Sequence, residues 1–335
     1  MNEDWRAFLM QQGAKTITDE GVRFDGPGRD KNTIPAGFIT ALPGFALLEI
    51  TGKDARSFLH GQFTSDLNLI ADGGVQLSAW CNAKGRVIAT FFIYRLENSY
   101  LILLPASQAD QFRRRLRMYI LRAEVQVHSF EGNTATIGIH GGGLAKPSVP
   151  EPDSATITDS TFFLPLPGPS LPRLIAAGPV DNVKALWKRL TPDIATGDSD
   201  DWYLLDIRAG IPWLHAGTSE RFLPQELGLE ERGGLSYDKG CYPGQEVIAR
   251  VHYRGRVKQR LLRAGVAGDP RPAAGMPLYG EEMEQELGTV LYAVPLAAGT
   301  YSLLAVADVE YALHKAVHLQ KRDGAVLEFD ASASG

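Results

Sequence analysis

The apolar pattern of this chain changes character once, near Arg256, and that change limits the folds open to it. Before it, short alternating runs trade places with stretches of helical period. After it, the runs 260–266, 288–293 and 301–306 are separated by Gly/Pro turns. Short strands at that spacing predict a small C-terminal β-barrel, and the mixed periods ahead of it predict α/β lobes. A length of 335 residues exceeds what one hydrophobic core usually reaches, so two or three domains are expected.

Within the first part, strands are expected at 45–50, 86–96 and 100–104, with a helix over 54–63. Residues 75–81 alternate, with Gln76 and Ser78 polar, which puts Cys81 on an inward face; 82–85 is turn chemistry. Ser107 can cap a helix reaching about Ile120, with Phe112, Leu116 and Tyr119 or Ile120 on one side. Its arginines, Arg113, Arg114, Arg115 and Arg117, read either as a solvated face or as an anion contact that lacks an interleaved aromatic platform. Seven of the 20 prolines fall between Gly141 and Pro172, which reads as a linker rather than an element. A strand at 174–177 and a helix at 180–190 then open a second α/β unit, and a helix over 201–207 stops at Gly210-Ile-Pro212. After an amphipathic start at Trp5, Phe8 and Leu9, the first 35 residues read as a peripheral arm. The resulting division is an arm at 1–35, a first α/β lobe at 36–145, a second at 146–255 and a barrel at 256–335.

A net charge of −5 predicts repulsion of nucleic acid and anionic membrane, so neither is expected as a direct partner, and any anionic ligand needs a local basic pocket. Two cysteines, Cys81 and Cys241, exclude a disulfide scaffold. They also exclude a resident iron–sulfur cluster by the usual route of about four thiolates. The seven histidines form no H-x-x-H or H-E-x-x-H pair, so no metal site is expected. The amino terminus lacks a basic and apolar leader and reads as a cytoplasmic start. The longest apolar run, 88–94, is far short of the roughly 20 residues that span a bilayer.

Chemistry concentrates in Lys239-Gly-Cys-Tyr-Pro-Gly-Gln-Glu246. Gly240, Pro243 and Gly244 turn the backbone tightly round Cys241 and let it approach a ligand. If the piece is extended, Lys239 lies on the same side, at about 7 Å. At an effective dielectric near 20 it would then stabilise a thiolate by about 2 kcal/mol before screening. The alternative is an inert buried thiol at a loop-to-helix junction; Cys81, on the inward face of its alternating strand, is expected to be inert. Arg250, Arg254, Arg256, Lys258, Arg260 and Arg263 crowd 14 residues beside Gln245 and Glu246. Strand alternation would send half of them to one face, and arginine forks suit carboxylates. A folate presents such carboxylates in its glutamate tail. Tyr237, Tyr242 and Tyr253 would supply flat walls, and Asp206 or Glu246 would accept from the pterin edge.

The run 233–250 resembles the signature of the YgfZ family of folate-binding proteins, K-G-C-Y-x-G-Q-E followed by an arginine four residues on. Phe222-Leu-Pro-Gln-Glu-Leu227, Ala79-Trp-Cys-Asn-Ala-Lys-Gly-Arg86, and 52–59 with Thr64-Ser-Asp66 extend the likeness over about 44–265. A weaker likeness is to the aminomethyltransferase (T-protein) of the glycine cleavage system. Together they imply an α+β, three-domain T-protein-like fold, two α/β lobes plus a small C-terminal β-barrel around a central folate hole. They also imply tetrahydrofolate or a one-carbon derivative as cofactor, and the residues expected to hold it are Tyr242, Gln245, Glu246, Arg250, Asp206 and Arg254. The implied role is support of iron–sulfur enzyme maturation or repair, including enzymes that thiolate transfer RNA, with iron–sulfur client or assembly proteins as partners and Cys241 and Lys239 as working residues. The alternatives are a folate-dependent one-carbon transferase or demethylase, and a binding scaffold. In T-protein the motif resembling 82–88 continues with two aspartates, the first catalytic; here Ala89 and Thr90 stand there. The G-Y-T-G-E motif is likewise replaced by a proline-rich run near 166–172, so aminomethyl transfer is not expected.

Overall fold

Asn2 starts the first helix, Glu3–Gln11, by accepting the Trp5 amide on its side-chain oxygen at 3.2 Å. The helix then buries Trp5, Phe8 and Leu9, an i, i+3, i+4 set that needs an apolar partner. Trp187, on the helix Val180–Leu190, meets the Trp5 ring at 6.0 Å and the Phe8 ring at 6.4 Å, both edge on. The N-terminal segment expected at the periphery is therefore core. Sequence alone shows that the stripe must be covered and not what covers it.

The computed structural model describes residues 1–24, 34–130, 132–141, 144, 149–150, 153–166, 171–281 and 285–330. Packing divides the chain into one unit of Met1–Phe58, Leu67–Gln76 and Phe92–Tyr203, and another of Leu59–Asp66, Leu77–Phe91 and Leu204–Gly335. In the first unit a six-stranded sheet runs in the order Thr156–Thr158, Thr161–Leu166, Arg173–Pro179, Thr134–Gly141, Gly37–Ala41, Ala195–Thr196. All its pairs are antiparallel except the last. Two of these strands lie inside the proline-rich stretch expected to be a linker, and that expectation is corrected. Thr161–Leu166 is buried throughout and tolerates Pro165 because its outer neighbour pairs only with 161–163. Pro165 thus sits where one side of the strand has no ladder to complete.

A five-stranded sheet has the order Val75–Cys81, Val87–Leu96, Ser99–Pro105, Phe45–Thr51, Gln126–Ser129. Its strand Val75–Cys81 is buried on both faces from Leu77 onward, so the alternation did not mark a solvent side; Ser78 is covered because its hydroxyl accepts from Ser65 Oγ at 2.8 Å. The following helix, Ala106–Arg117, starts on Pro105 with no side-chain cap, rather than on Ser107, and stops before the exposed Tyr119. Two of its arginines, Arg113 and Arg114, pair with Asp110 at 2.7 and 3.2 Å, and Arg117 donates to the Val127 carbonyl.

The second unit ends in a six-stranded sheet ordered Val317–Leu319, Pro277–Gly280, Gly288–Ala297, Thr300–Asp308, Gln259–Ala267, Leu327–Phe329. A bridge between His318 and Val326 brings its two ends together, giving the nearly closed barrel that the short-strand pattern predicts. The interior follows the strand period: Leu262, Ala264 and Val266 face Leu303, Ala305 and Ala307 within one apolar cluster. Among the described residues no helix is long and apolar enough to cross a membrane.

Candidate functional site

Two glycines place the cysteine motif. Gly244 has φ +82° and precedes the helix Gln245–Arg254. A Cβ there would lie 2.5 Å from the Asn82 carbonyl oxygen and 2.6 Å from Gly85 Cα. Gly85, at φ +74°, would in turn set a Cβ 3.2 Å from Ile248 Cγ1. The turn 82–85 therefore packs directly on the start of the motif helix, at a distance only glycine permits. Asn82 shapes that turn by accepting the Lys84 and Arg86 amides on its side-chain oxygen at 2.9 and 3.0 Å. The segment Phe222–Leu227 holds the helix from another side: Gln225, buried, donates to the Ile248 carbonyl at 2.8 Å and to the Tyr237 hydroxyl at 3.2 Å. Sequence reading flagged these segments separately. Their mutual contact rests on pairings distant in the chain, which no local pattern encodes.

Lys239 does not lie alongside Cys241 as an extended strand would place it. Residues 237–239 bend, Lys239 is 7% exposed, and its ammonium donates to the carbonyls of His60, Phe63 and Ser65 at 2.5, 2.6 and 3.0 Å. The first of these closes the short helix Ala55–His60, whose last carbonyls lack partners within the helix. The Tyr242 ring lies 5.1 Å from the same ammonium. Burial pulls the Lys239 pKa down to about 8, against the opposing pull of Asp66. Lys239 is thus the anchor of the loop, with its charge turned inward. Tyr242 is buried too, and burial raises its hydroxyl pKa.

Cys241 is exposed and Cys81 is buried, where burial pushes its thiol far up. In the folded protein, alkylation at neutral pH followed by peptide mass analysis is expected to label Cys241 fully before Cys81 reacts. Faster labelling of Cys81 would contradict this placement.

The other expected residues divide. Gln245 opens the motif helix, and Glu246, Arg250 and Arg254 stand exposed along it. Asp206 lies on another helix, Ser199–Ala209, fully buried, and accepts the Trp213 indole N–H at 2.9 Å. Ala89 and Thr90 are buried; the Thr90 hydroxyl donates to the Pro212 carbonyl at 2.6 Å and accepts the Leu214 amide at 3.2 Å. An aspartate there could not donate to that carbonyl, so the local backbone is built for threonine. Residues 167–170 of the proline-rich run lie outside the described residues. Among the described residues no group of three or more His, Cys, Asp or Glu side chains is arranged to hold a metal ion.

This architecture is that of the glycine cleavage T-protein: the aminomethyltransferase from Bartonella henselae superposes with a TM-score of 0.76 over 96% of this chain and 94% of that one, at 16% identity. The GCVT N-terminal domain family matches residues 39–144. Among curated proteins, the tRNA-modifying protein YgfZ of Edwardsiella ictaluri is 31% identical over 268 residues, 77% of this chain and 81% of the relative. That of Klebsiella pneumoniae is 30% identical over 275 residues, 78% and 82% of the two chains. The chain belongs to the YgfZ family.

Proposed function

We propose that this protein is a tetrahydrofolate-binding accessory factor in the maturation or repair of iron–sulfur enzymes, including enzymes that modify transfer RNA, and that Cys241 is its working group. The observation that carries the reading is the exposure of Cys241 at a junction locked by the Gly244–Gly85 approach and the Lys239 anchor, in a chain whose relatives are named tRNA-modifying proteins. A fixed, accessible thiol can hold sulfur or ligate iron. Because a cluster takes about four thiolates, Cys241 would supply one ligand and the client enzyme the rest.

Folate binding is supported by the family, by the T-protein-like fold and by the chemistry of the exposed forks of Arg250 and Arg254, which suit the tail carboxylates. The buried candidates fit less well: Asp206 holds Trp213 and Tyr242 packs near Lys239, so no holder is assigned to the pterin end. Aminomethyl transfer lacks its carboxylate, since Ala89 and the backbone-bound Thr90 occupy the acid positions. Calorimetry with tetrahydrofolate is expected to give saturable binding that weakens with salt and is retained in Cys241→Ser. No heat of binding up to millimolar ligand would remove the folate assignment.

A further inference from the structure

The motif helix ends in a row of cations that the fold leaves unused. Arg250, Arg254, Arg256 and Lys258 are exposed, and among the described residues none of them makes an ion pair. Their neighbours behave otherwise: Arg260 reaches Glu231 at 2.8 Å and Arg263 reaches Asp330 at 3.1 Å. Glu246 stands one turn before Arg250 and Glu230 pairs with His252, yet among the described residues neither forms an ion pair with these four cations.

An oriented aromatic stands in this row. Tyr253, three residues after Arg250 on the same helix face, is 70% exposed. His252 meets it edge on at 4.8 Å and is itself stacked on Tyr237 at 3.9 Å. Glu230 fixes that stack from outside, accepting the Tyr237 hydroxyl at 3.0 Å and lying 3.2 Å from His252 Nδ1. The Tyr253 ring is thus backed by a packed pair and offered to solvent, between cations spaced along about nine residues.

We infer that the surface formed by Tyr253, Arg256 and Lys258, beyond the Arg250 and Arg254 forks left to the folate tail, docks single-stranded RNA. Cations would track the phosphates, and an exposed ring stacks an unpaired base. An acidic peptide would use the charges and leave the ring without a role; a duplex would keep its bases from stacking on it. RNA is chosen over DNA on the strength of the proposed function, whose clients act on transfer RNA. The net negative charge, which predicts no nucleic-acid contact, reports the sum over the chain; in physiological salt a charge is screened beyond roughly 8 Å, so acids farther off do not cancel this local row.

The test is fluorescence anisotropy of the full chain with a labelled unstructured 15-mer RNA, the same sequence in DNA, and a glutamate-rich peptide as competitor. With two phosphates neutralised by Arg256 and Lys258, affinity for the RNA is expected to fall about sevenfold between 50 and 200 mM salt. Tyr253→Ala is expected to weaken binding about tenfold, and the pair Arg256→Glu and Lys258→Glu by more than tenfold with a shallower salt slope. Calorimetry with tetrahydrofolate serves as the separate readout, and the Arg256→Glu and Lys258→Glu pair is expected to leave it unchanged. Loss of folate binding with retained RNA affinity would assign the row to folate. Equal affinity for DNA, an unaffected Tyr253→Ala variant, or displacement of RNA by the peptide at matched charge would each overturn the RNA assignment.

Discussion

Gly244→Ala is expected to destabilise the protein by about 3 kcal/mol, combining left-handed strain with overlap against fixed backbone. At φ +82° the new methyl would sit 2.5 Å from the Asn82 carbonyl oxygen and 2.6 Å from Gly85, neither of which can swing aside as a long side chain would. Gly233→Ala provides the control: its φ is +68° but nothing lies within 4 Å of its Cβ position, so only the strain of about 1 kcal/mol remains. Chemical denaturation of the two variants separates close approach from conformation. Equal losses would mean that the two loops do not touch as described.

Lys239→Met is expected to cost about 3 kcal/mol, because it keeps the stem and deprives three carbonyls of a shared donor, only partly offset by removal of a buried charge. The pH dependence runs opposite to that of a lysine held in a surface ion pair. With its folded pKa near 8 and an ordinary value of 10.5, Lys239 carries a proton in the unfolded chain and loses it in the folded one between those limits. The unfolded state binds more protons there, so the stability of the parent protein relative to Lys239→Met should rise as pH climbs from about 8 to 10.5. Urea denaturation of both proteins across that window checks the sign; a flat difference would place the ammonium in water.

Much of the frame was legible from period alone. The terminal barrel followed from short runs with turns between them, and the helix Val180–Leu190 was readable to the residue because its apolar spacing and its flanking proline agree. What failed did so where long-range partners override local signs. Proline marked 141–172 as a linker, yet Thr161–Leu166 is a strand because its neighbour stops short of Pro165. Trp5, Phe8 and Leu9 looked peripheral until Trp187 supplied the other half of their core. At the site, residue types pointed to Cys241 and Gly244, but the direction of Lys239 was misread. Two residues of spacing imply a shared side only in extended backbone, and this segment bends so that the ammonium can reach carbonyls more than 170 positions away in sequence.

The central claim is that Cys241 does the work and the rest of the motif holds it in place. Its most direct test is complementation of a bacterial strain lacking its own family member, reading the level of thiolated transfer RNA. The parent chain and Cys81→Ser are expected to restore thiolation, whereas Cys241→Ser, which removes only an exposed sulfur and should fold normally, is expected to leave it low. Full restoration by Cys241→Ser at matched protein level would contradict the account.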